Sequence, residues 1–284
     1  MAALKEVRHW LPLAAQRTCA DDGENVHRLR VATRRASVAL KVFSDLTDPV
    51  ETNALREELR QIRKAADSAR DVDATFERFV TRAHGADEAL GEKLRERLHA
   101  MRDQAQAPIA AIERRLTDSA FDERAMTVLC DMLPRHPKRA AQTFGERARK
   151  LLKPALQRFF KAAKGKLSDD AGVHHLRIQA KKLRYTMEIL SNAFKPSFSD
   201  KLYRQFCDFQ DVLGAVRDRV IMQDMLRSWL TKPSDDAERA FLQNLLQMEK
   251  NAHAESMREF HAMWTPKYIR KLKSEFAKHI ERQE

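Results

Sequence analysis

The sequence has little cysteine, little glycine and few aromatic residues. Its 284 residues include 3 Cys, 7 Gly and 7% aromatic side chains. Few glycines and few β-branched residues beside abundant Ala, Leu, Arg, Lys and Glu are typical of helices, so strands are not expected. Cys19, Cys130 and Cys207 match no metal-binding or redox spacing. We therefore expect free thiols in a reducing compartment, and hence a cytoplasmic protein.

Long apolar runs are also missing. No stretch approaches the roughly 18 apolar residues of a membrane span, so no membrane contact is expected. The first residues, MAALKEVRHWLPLAAQ, carry charges at helical spacing and do not resemble a secretory signal. A hydrophobic content of 43% argues against a disordered chain. The length allows one large domain or two of ordinary size.

Positive charge is in excess. There are 53 Lys and Arg against 41 Asp and Glu, which gives a formal net charge of +12. Net charge indicates what a protein associates with and does not indicate its fold. The functional question is whether the basic residues are spread over the surface or gathered in one place.

Two segments of the chain repeat each other without a gap. Val26–Phe43 reads VHRLRVATRRASVALKVF, and Val173–Leu190 reads VHHLRIQAKKLRYTMEIL. The offset is 174 − 27 = 147 residues. The same offset places Arg70 and Asp71 on Arg217 and Asp218. A register kept over about fifty residues indicates an internal duplication.

Apolar residues recur with a period of about 3.6, as in Leu90, Leu94 and Leu98, which predicts amphipathic helices throughout. We place helices at 2–18, 24–45, 50–82, 87–117, 121–133, 138–164, 170–193, 198–231, 235–263 and 266–282. Pro134 and Pro137 mark the expected junction, because proline cannot continue a helix. The predicted fold is all-α: one domain, 1–284, whose halves, 1–134 and 138–284, are antiparallel helical bundles related by a pseudo-two-fold axis.

On a helical projection, the repeated segments each place their basic residues opposite an apolar side. The first side carries Leu29, Ala32, Ala36, Leu40 and Phe43. The basic stripes are His27, Arg30, Arg34 and Lys41 in the first half, and His174, Arg177, Lys181 and Arg184 in the second. The first stripe is about 21 Å long, from a rise of 1.5 Å per residue. Arg63, on the following helix, is expected to line the same surface.

The first stripe segment, Val26–Phe43, contains no Asp or Glu. Like charges one turn apart destabilise a helix, and a solvated face normally mixes the two signs. An exposed basic helix without a ligand remains an alternative, but the same pattern occurs twice.

Arginine forks and lysine ammonium groups both suit phosphate oxygens, and histidines near a helix start can gain charge beside an anion. Alternatively, each histidine forms a hydrogen bond with the free backbone groups at the end of a neighbouring helix. Asp71 and Asp218 are expected to orient basic side chains.

The twin segments, His-x-x-Arg-Val/Ile-x-x-Arg/Lys-Arg/Lys, each followed by a helix that carries Arg-Asp, resemble the CHAD domain (conserved histidine α-helical domain). The resemblance implies two pseudo-symmetric helical bundles, a basic central cavity, and binding of inorganic polyphosphate, with association with bacterial polyphosphate granules. The implied ligand residues are His27, Arg30, Arg34, Arg35, His174, Arg177, Lys181, Lys182 and Arg184. The residue pattern adds Lys41 and Arg63. One departure is that Ser37 stands where the second segment has Arg184.

The interpretation is therefore a non-enzymatic protein, without a cofactor, that binds inorganic polyphosphate in a basic groove between two helical halves. A protein of polyphosphate metabolism is a candidate partner. A nucleic-acid-binding protein is the first rival, although aromatic residues for base stacking are scarce. A metal-dependent enzyme is the second rival, since Glu6-x-x-His9 and Glu24-x-x-His27 have di-metal spacing. Against an enzyme, there is no P-loop, no nucleophile elbow and no Glu-x-Glu-x-Lys signature.

Overall fold

The computed structural model describes residues 2–16, 23–82, 88–117, 121–130 and 142–280, with side chains at all of these except 74, 76–82, 88 and 122. The chain divides into two compact units, Met1–Ala141 and Gln142–Glu284.

The all-α fold is confirmed, because the described residues contain helices and no strand. The first unit contains α1 (Ala2–Ala15), α2 (Glu24–Val42), α3 (Pro49–Arg82), α4 (Glu88–Thr117) and α5 (Phe121–Cys130). The second contains α6 (Phe144–Ala162), α7 (Asp170–Leu190), α8 (Arg204–Trp229), α9 (Asp236–Met263) and α10 (Pro266–Ile280). Among these helices, none combines the length and apolar character that crossing a bilayer requires.

Each predicted helix overlaps an observed one, and the differences lie at the ends. The sixth was predicted to begin at 138, whereas α6 begins at Phe144. The cause is a capping box, in which the Thr143 side chain accepts a hydrogen bond from the Glu146 backbone and the Glu146 side chain accepts one from the Thr143 backbone. Residues 138–141, the Pro134–Pro137 junction and Cys19 lie outside the described residues.

In the first unit, α1 to α4 pack as a four-helix bundle in which α1 also contacts α4, and α5 packs on α3. The core side predicted for α2 is confirmed over most of its length, because Leu29, Ala32, Ala36 and Leu40 are buried. Phe43 is only partly buried, since it is the C-terminal cap of the helix. This packing turns the opposite side of α2 away from the core.

In the second unit, α6, α7, α8 and α9 pack in sequential pairs, and α10 returns to α6. The core is aromatic: Phe206 is fully buried and its ring centroid lies 5.2 Å from that of Phe159 and 6.0 Å from that of Phe276. A short π-helical turn, Phe198–Tyr203, precedes α8. The single helix predicted over 198–231 is therefore a π-helical turn followed by α8.

Local features start the two basic helices just before their histidines. Gly23, with a φ of 86°, is the N-terminal cap of α2, and its carbonyl accepts a hydrogen bond from the His27 backbone. Asp169 caps α7, where its side chain accepts a hydrogen bond from the Gly172 backbone. His27 and His174 therefore both stand in the first turns of their helices, as predicted.

Candidate anion-binding site

The first cluster of cations lies where α2 packs against α3. Arg30 Nε donates to Asp67 Oδ1 over 2.7 Å, and Arg34 Nη2 lies 3.5 Å from the same oxygen. Further along α3, Arg70 is close enough to His27 to act on its charge. Since His27 precedes Arg30 while Arg70 follows Asp67, the two helices run antiparallel. We call His27, Arg30, Arg34 and Arg70, with Asp67, the α2–α3 cluster.

The middle of this cluster is more enclosed than a stripe on a helix surface would be. The side chains of Arg30 and Arg34 are 15% and 17% exposed, whereas His27 and Lys41 are exposed. Burial lowers the pKa of Arg30, and Arg34 lowers it further, while Asp67 raises it. Although the His27 side chain is exposed as a whole, partial burial of its ring lowers its pKa, and the charge of Arg70 is the next cause. Positive charge on Arg30 and on His27 is therefore disfavoured in the free protein, and a bound anion would offset this cost.

The second cluster lies between α7 and α8. Burial lowers the pKa of His174, and Arg217, Arg177 and Lys181 each lower it further by their charge. The Nδ1 atom of His174 is buried and has no hydrogen-bond partner within the described ranges. We call His174, Arg177, Lys181 and Arg217 the α7–α8 cluster. Like the first cluster, it combines a histidine with arginines from two helices, and Lys181 stands where the first cluster has Arg34.

Arg184, predicted as a phosphate ligand, is held by neighbours within its own unit. Its Nε donates to Gln210 Oε1 over 2.6 Å, and its Nη1 donates to the Tyr203 hydroxyl over 3.0 Å. Nη1 also lies 3.8 Å from Glu188, and the guanidinium stacks 4.5 Å above the ring centre of Tyr185. Burial raises the pKa of Tyr203 to about 12, so this hydroxyl stays protonated. The arrangement fixes Arg184 at the end of the α7–α8 cluster.

The remaining predicted residues lie around these clusters. Arg35 Nη1 is 3.5 Å from Glu6 of α1, so it turns away from Asp67. Lys41 and Lys182 are exposed, and Arg63 is partly buried on α3, one turn before Asp67. The structure brings together His27, Arg30 and Arg34 in one unit and His174, Arg177 and Lys181 in the other. A shared groove between the two halves stays a prediction.

Two members of the clusters were not predicted as ligands. Arg70 and Arg217 lie beside the two histidines, on α3 and α8 respectively. The sequence could have indicated both residues as site residues, because the 147-residue offset (217 − 70) aligns Arg70 with Arg217. The charge of Asp71 raises the pKa of Arg30, and its expected role in orienting basic side chains stays a prediction. Asp67 contacts two arginines directly, but the repeat does not mark it, because the second segment has Gly214 at the matching position.

The residues with di-metal spacing line one cavity of about 560 Å³ between α1 and α2. They are Glu6, His9, Glu24 and His27. Lys5, Arg28 and Arg35 line the same cavity, and these cations would repel a metal ion. In the described part of the chain, no three His, Cys, Asp or Glu side chains are grouped to hold an ion. The cavity therefore lends no support to a metal-dependent reaction.

The described residues form an all-α fold in which each of two antiparallel helix pairs carries a cluster of cations. The family model of the CHAD domain matches residues 1–227, and the chain belongs to this family. Among curated proteins, the uncharacterized MT2285 and Rv2226 of two Mycobacterium tuberculosis strains are each 28% identical over 257 residues. The matches cover 84% of this chain and 47% of those proteins, so the chain spans about half the length of these relatives.

Two solved structures share the fold. The crystal structure of the CHAD domain from the plant Ricinus communis has a TM-score of 0.67 at 21% identity, covering 92% of this chain and 87% of that one. PptA from Streptomyces chartreusis also has a TM-score of 0.67, at 20% identity, covering 93% and 95%. These similarities confirm the all-α architecture.

Proposed function

We propose that this chain is a non-catalytic module that binds inorganic polyphosphate through its α2–α3 and α7–α8 clusters. The CHAD family is associated with polyphosphate binding, and its domain is generally a binding domain without catalytic activity. The observation that carries the proposal is the enclosed set of cations in each unit. There, burial and the charge of neighbouring cations lower the pKa of Arg30, of His27 and of His174.

The chemistry of the clusters suits a polymer of phosphates. Arginine forks bind phosphate oxygens in pairs, and lysine adds a mobile charge. Cations repeat along α2 and α7 at one-turn spacing, so each cluster can contact successive phosphates of one chain. Neither cluster includes a Phe, Tyr or Trp side chain on which a base could stack, which favours polyphosphate over single-stranded nucleic acid.

In the cell, we propose that such a module acts in the cytoplasm, on polyphosphate granules, where binding serves storage of the polymer, targeting to the granule, or regulation of a partner protein of polyphosphate metabolism. The predicted single groove between the halves would let one polymer contact both clusters. The net charge of +12 would speed the encounter with any polyanion. Specificity for phosphate would then come from the enclosed arginines.

A titration with size-fractionated polyphosphate tests the proposal. We expect affinity to rise with chain length, and to fall roughly 10- to 1000-fold between about 50 and 200 mM salt, because bound cations release counterions. Fluorescence anisotropy with labelled polyphosphate measures both trends. Pyrophosphate that bound as tightly as long chains, or duplex DNA that displaced polyphosphate at moderate salt, would contradict the proposal.

The histidines predict a pH dependence. Burial and neighbouring cations lower the pKa of His27 and of His174, so both imidazoles favour the neutral form in the free protein. A bound polyanion stabilises the imidazolium and raises the pKa, so binding takes up protons and strengthens as the pH falls. We expect roughly 3- to 10-fold higher affinity at about pH 6 than at about pH 8. The double variant His27→Gln/His174→Gln should lose most of this dependence, and an unchanged profile would exclude the histidines from the site.

A further inference from the structure

The cavity between α1 and α2 contains side chains that belong to neither cluster. Its volume of about 560 Å³ lies in the range of small-molecule sites. Trp10 and Val31 line it together with the charged residues and histidines named above. An aromatic ring and an aliphatic side chain beside cations suit a ligand that is apolar at one end and anionic at the other.

Arg28 is held in place at one end of the cavity. Its Nε donates to Glu24 Oε1 over 2.6 Å, and its Cζ lies over the Trp10 ring, 4.9 Å from the ring centre. His9 packs edge-on to the same ring, with 4.6 Å between the centroids. The Arg28 side chain is nevertheless 52% exposed. A planar guanidinium backed by an indole offers a surface on which a nucleobase can stack.

Cations lie at the other end of the same cavity. Arg35 follows Arg28 by seven residues on α2, which is about 10 Å along the helix axis. Its Nη1 lies 3.5 Å from Glu6 Oε2 of α1, and Lys5 lines the cavity beside Glu6. The two helices run antiparallel, because Glu6 meets Arg35 while Trp10 meets Arg28. The aromatic end and the cationic end of the cavity are therefore separate.

We infer that this cavity binds a nucleoside triphosphate, whose base stacks on Arg28 and whose phosphates contact Arg35 and Lys5. Val31 lies on α2 between the two arginines, where it gives the ribose an apolar contact. Glu24 lies at the base end, where its carboxylate can accept a hydrogen bond from an amino group of the base. This inference goes beyond the proposed function and does not depend on it.

The distribution of charge favours a nucleotide over polyphosphate in this cavity. Glu6 and Glu24 both line it, and they would repel a polymer that is negative along its whole length. A nucleotide is negative only at its phosphate end, so its uncharged base can lie beside Glu24. At the phosphate end, Lys5 and Arg35 together outweigh the single charge of Glu6.

Three ligands separate the contributions of the base and of the phosphates. Isothermal titration calorimetry would compare ATP with inorganic tripolyphosphate and with adenosine. We expect ATP to bind roughly 5- to 10-fold more tightly than tripolyphosphate, because only ATP has a base to stack. Adenosine should bind at least roughly tenfold more weakly than ATP, because it lacks the phosphates. Equal affinities for ATP and tripolyphosphate would overturn the inference.

Replacement of Arg28 by lysine tests the stacking surface. Arg28→Lys keeps the positive charge and removes the planar guanidinium. We expect it to weaken ATP binding roughly fivefold and to change tripolyphosphate binding less than about twofold. Arg114→Lys, the same exchange at an exposed position of α4, should change neither affinity. Unchanged ATP binding by Arg28→Lys, or an equal loss for both ligands, would contradict the stacking role.

Replacement of Arg35 tests the phosphate end. Arg35→Gln should weaken the binding of ATP and of tripolyphosphate by a similar factor, roughly 3- to 10-fold, because both ligands lose the same charged donor. Unchanged ATP affinity in this variant would place the phosphates elsewhere and overturn the inference. Trp10 is a poorer target for substitution, because its side chain also packs against the apolar core. Circular dichroism of each variant checks that helicity is retained.

The outcomes keep this inference apart from the proposed function. A chain that binds long polyphosphate but no ATP would overturn the inference alone. A chain that binds ATP in the expected way but no long polyphosphate would overturn the proposed function alone.

Discussion

Reversal of one arginine in each cluster, Arg30→Glu with Arg177→Glu, is expected to abolish binding of long polyphosphate, with a loss of affinity of roughly 100-fold or more. Each substitution removes a guanidinium and adds a repulsive carboxylate at the centre of its cluster. Both residues lie on the sides of α2 and α7 that face away from the apolar cores. Anisotropy titration measures the loss, and circular dichroism reports whether the helices persist.

A matched control for this double reversal changes the same net charge elsewhere. Arg114 on α4 and Arg258 on α9 are exposed and belong to neither cluster. Arg114→Glu with Arg258→Glu should weaken binding only a few-fold, through the smaller overall charge. Similar losses in the two double variants would mean that net charge alone attracts the polymer, and retained affinity in the first would place the polyphosphate at another surface.

The second large effect is on stability. Phe206→Ala is expected to destabilise the second unit by about 3–5 kcal/mol, because the ring is fully buried and its loss leaves a cavity. The rings of Phe159, Phe209 and Phe276 surround it, at centroid distances of 5.2, 5.8 and 6.0 Å, and they cannot all close the gap. Calorimetry measures the shift of the unfolding transition.

Phe144 provides the control for this substitution, because its side chain is 42% exposed at the start of α6. Phe144→Ala should cost less than about 1 kcal/mol. A small effect of Phe206→Ala would mean that the aromatic cluster is not the centre of the second core. Because the chain has two compact units, a single shifted transition in calorimetry would assign the loss to one of them.

The helices themselves could be predicted from the sequence because their signals are local. The apolar period placed α2 and α7, and it identified Leu29, Ala32, Ala36 and Leu40 as core residues. Helix ends were less accurate where a side-chain cap decides them, as Thr143 does for α6. The internal duplication that suggested two halves stays a prediction.

The site was predicted less completely, because ion pairs depend on how two helices pack. A projection of α2 alone shows its basic stripe, but it cannot show that Asp67 of α3 lies opposite Arg30 and Arg34. The same holds for Arg184, whose contacts with Gln210 and Tyr203 depend on the register between α7 and α8. The sequence therefore predicted which basic residues share one face of a helix. Their partners on the next helix could not be predicted, because those contacts depend on how the two helices pack.

The glycine that precedes α2 links three helices of the first unit at a single point. A Cβ atom at Gly23 would lie 2.5 Å from Asp73 Oδ2, and Asp73 of α3 is buried in an ion pair with Arg102 of α4. Its backbone also has a positive φ, which other residues adopt at a cost. Any larger residue would push apart the junction from which the basic helix departs. We therefore expect this position to tolerate almost no variation during evolution, although its role lies in packing and not in the chemistry of the cations that follow it.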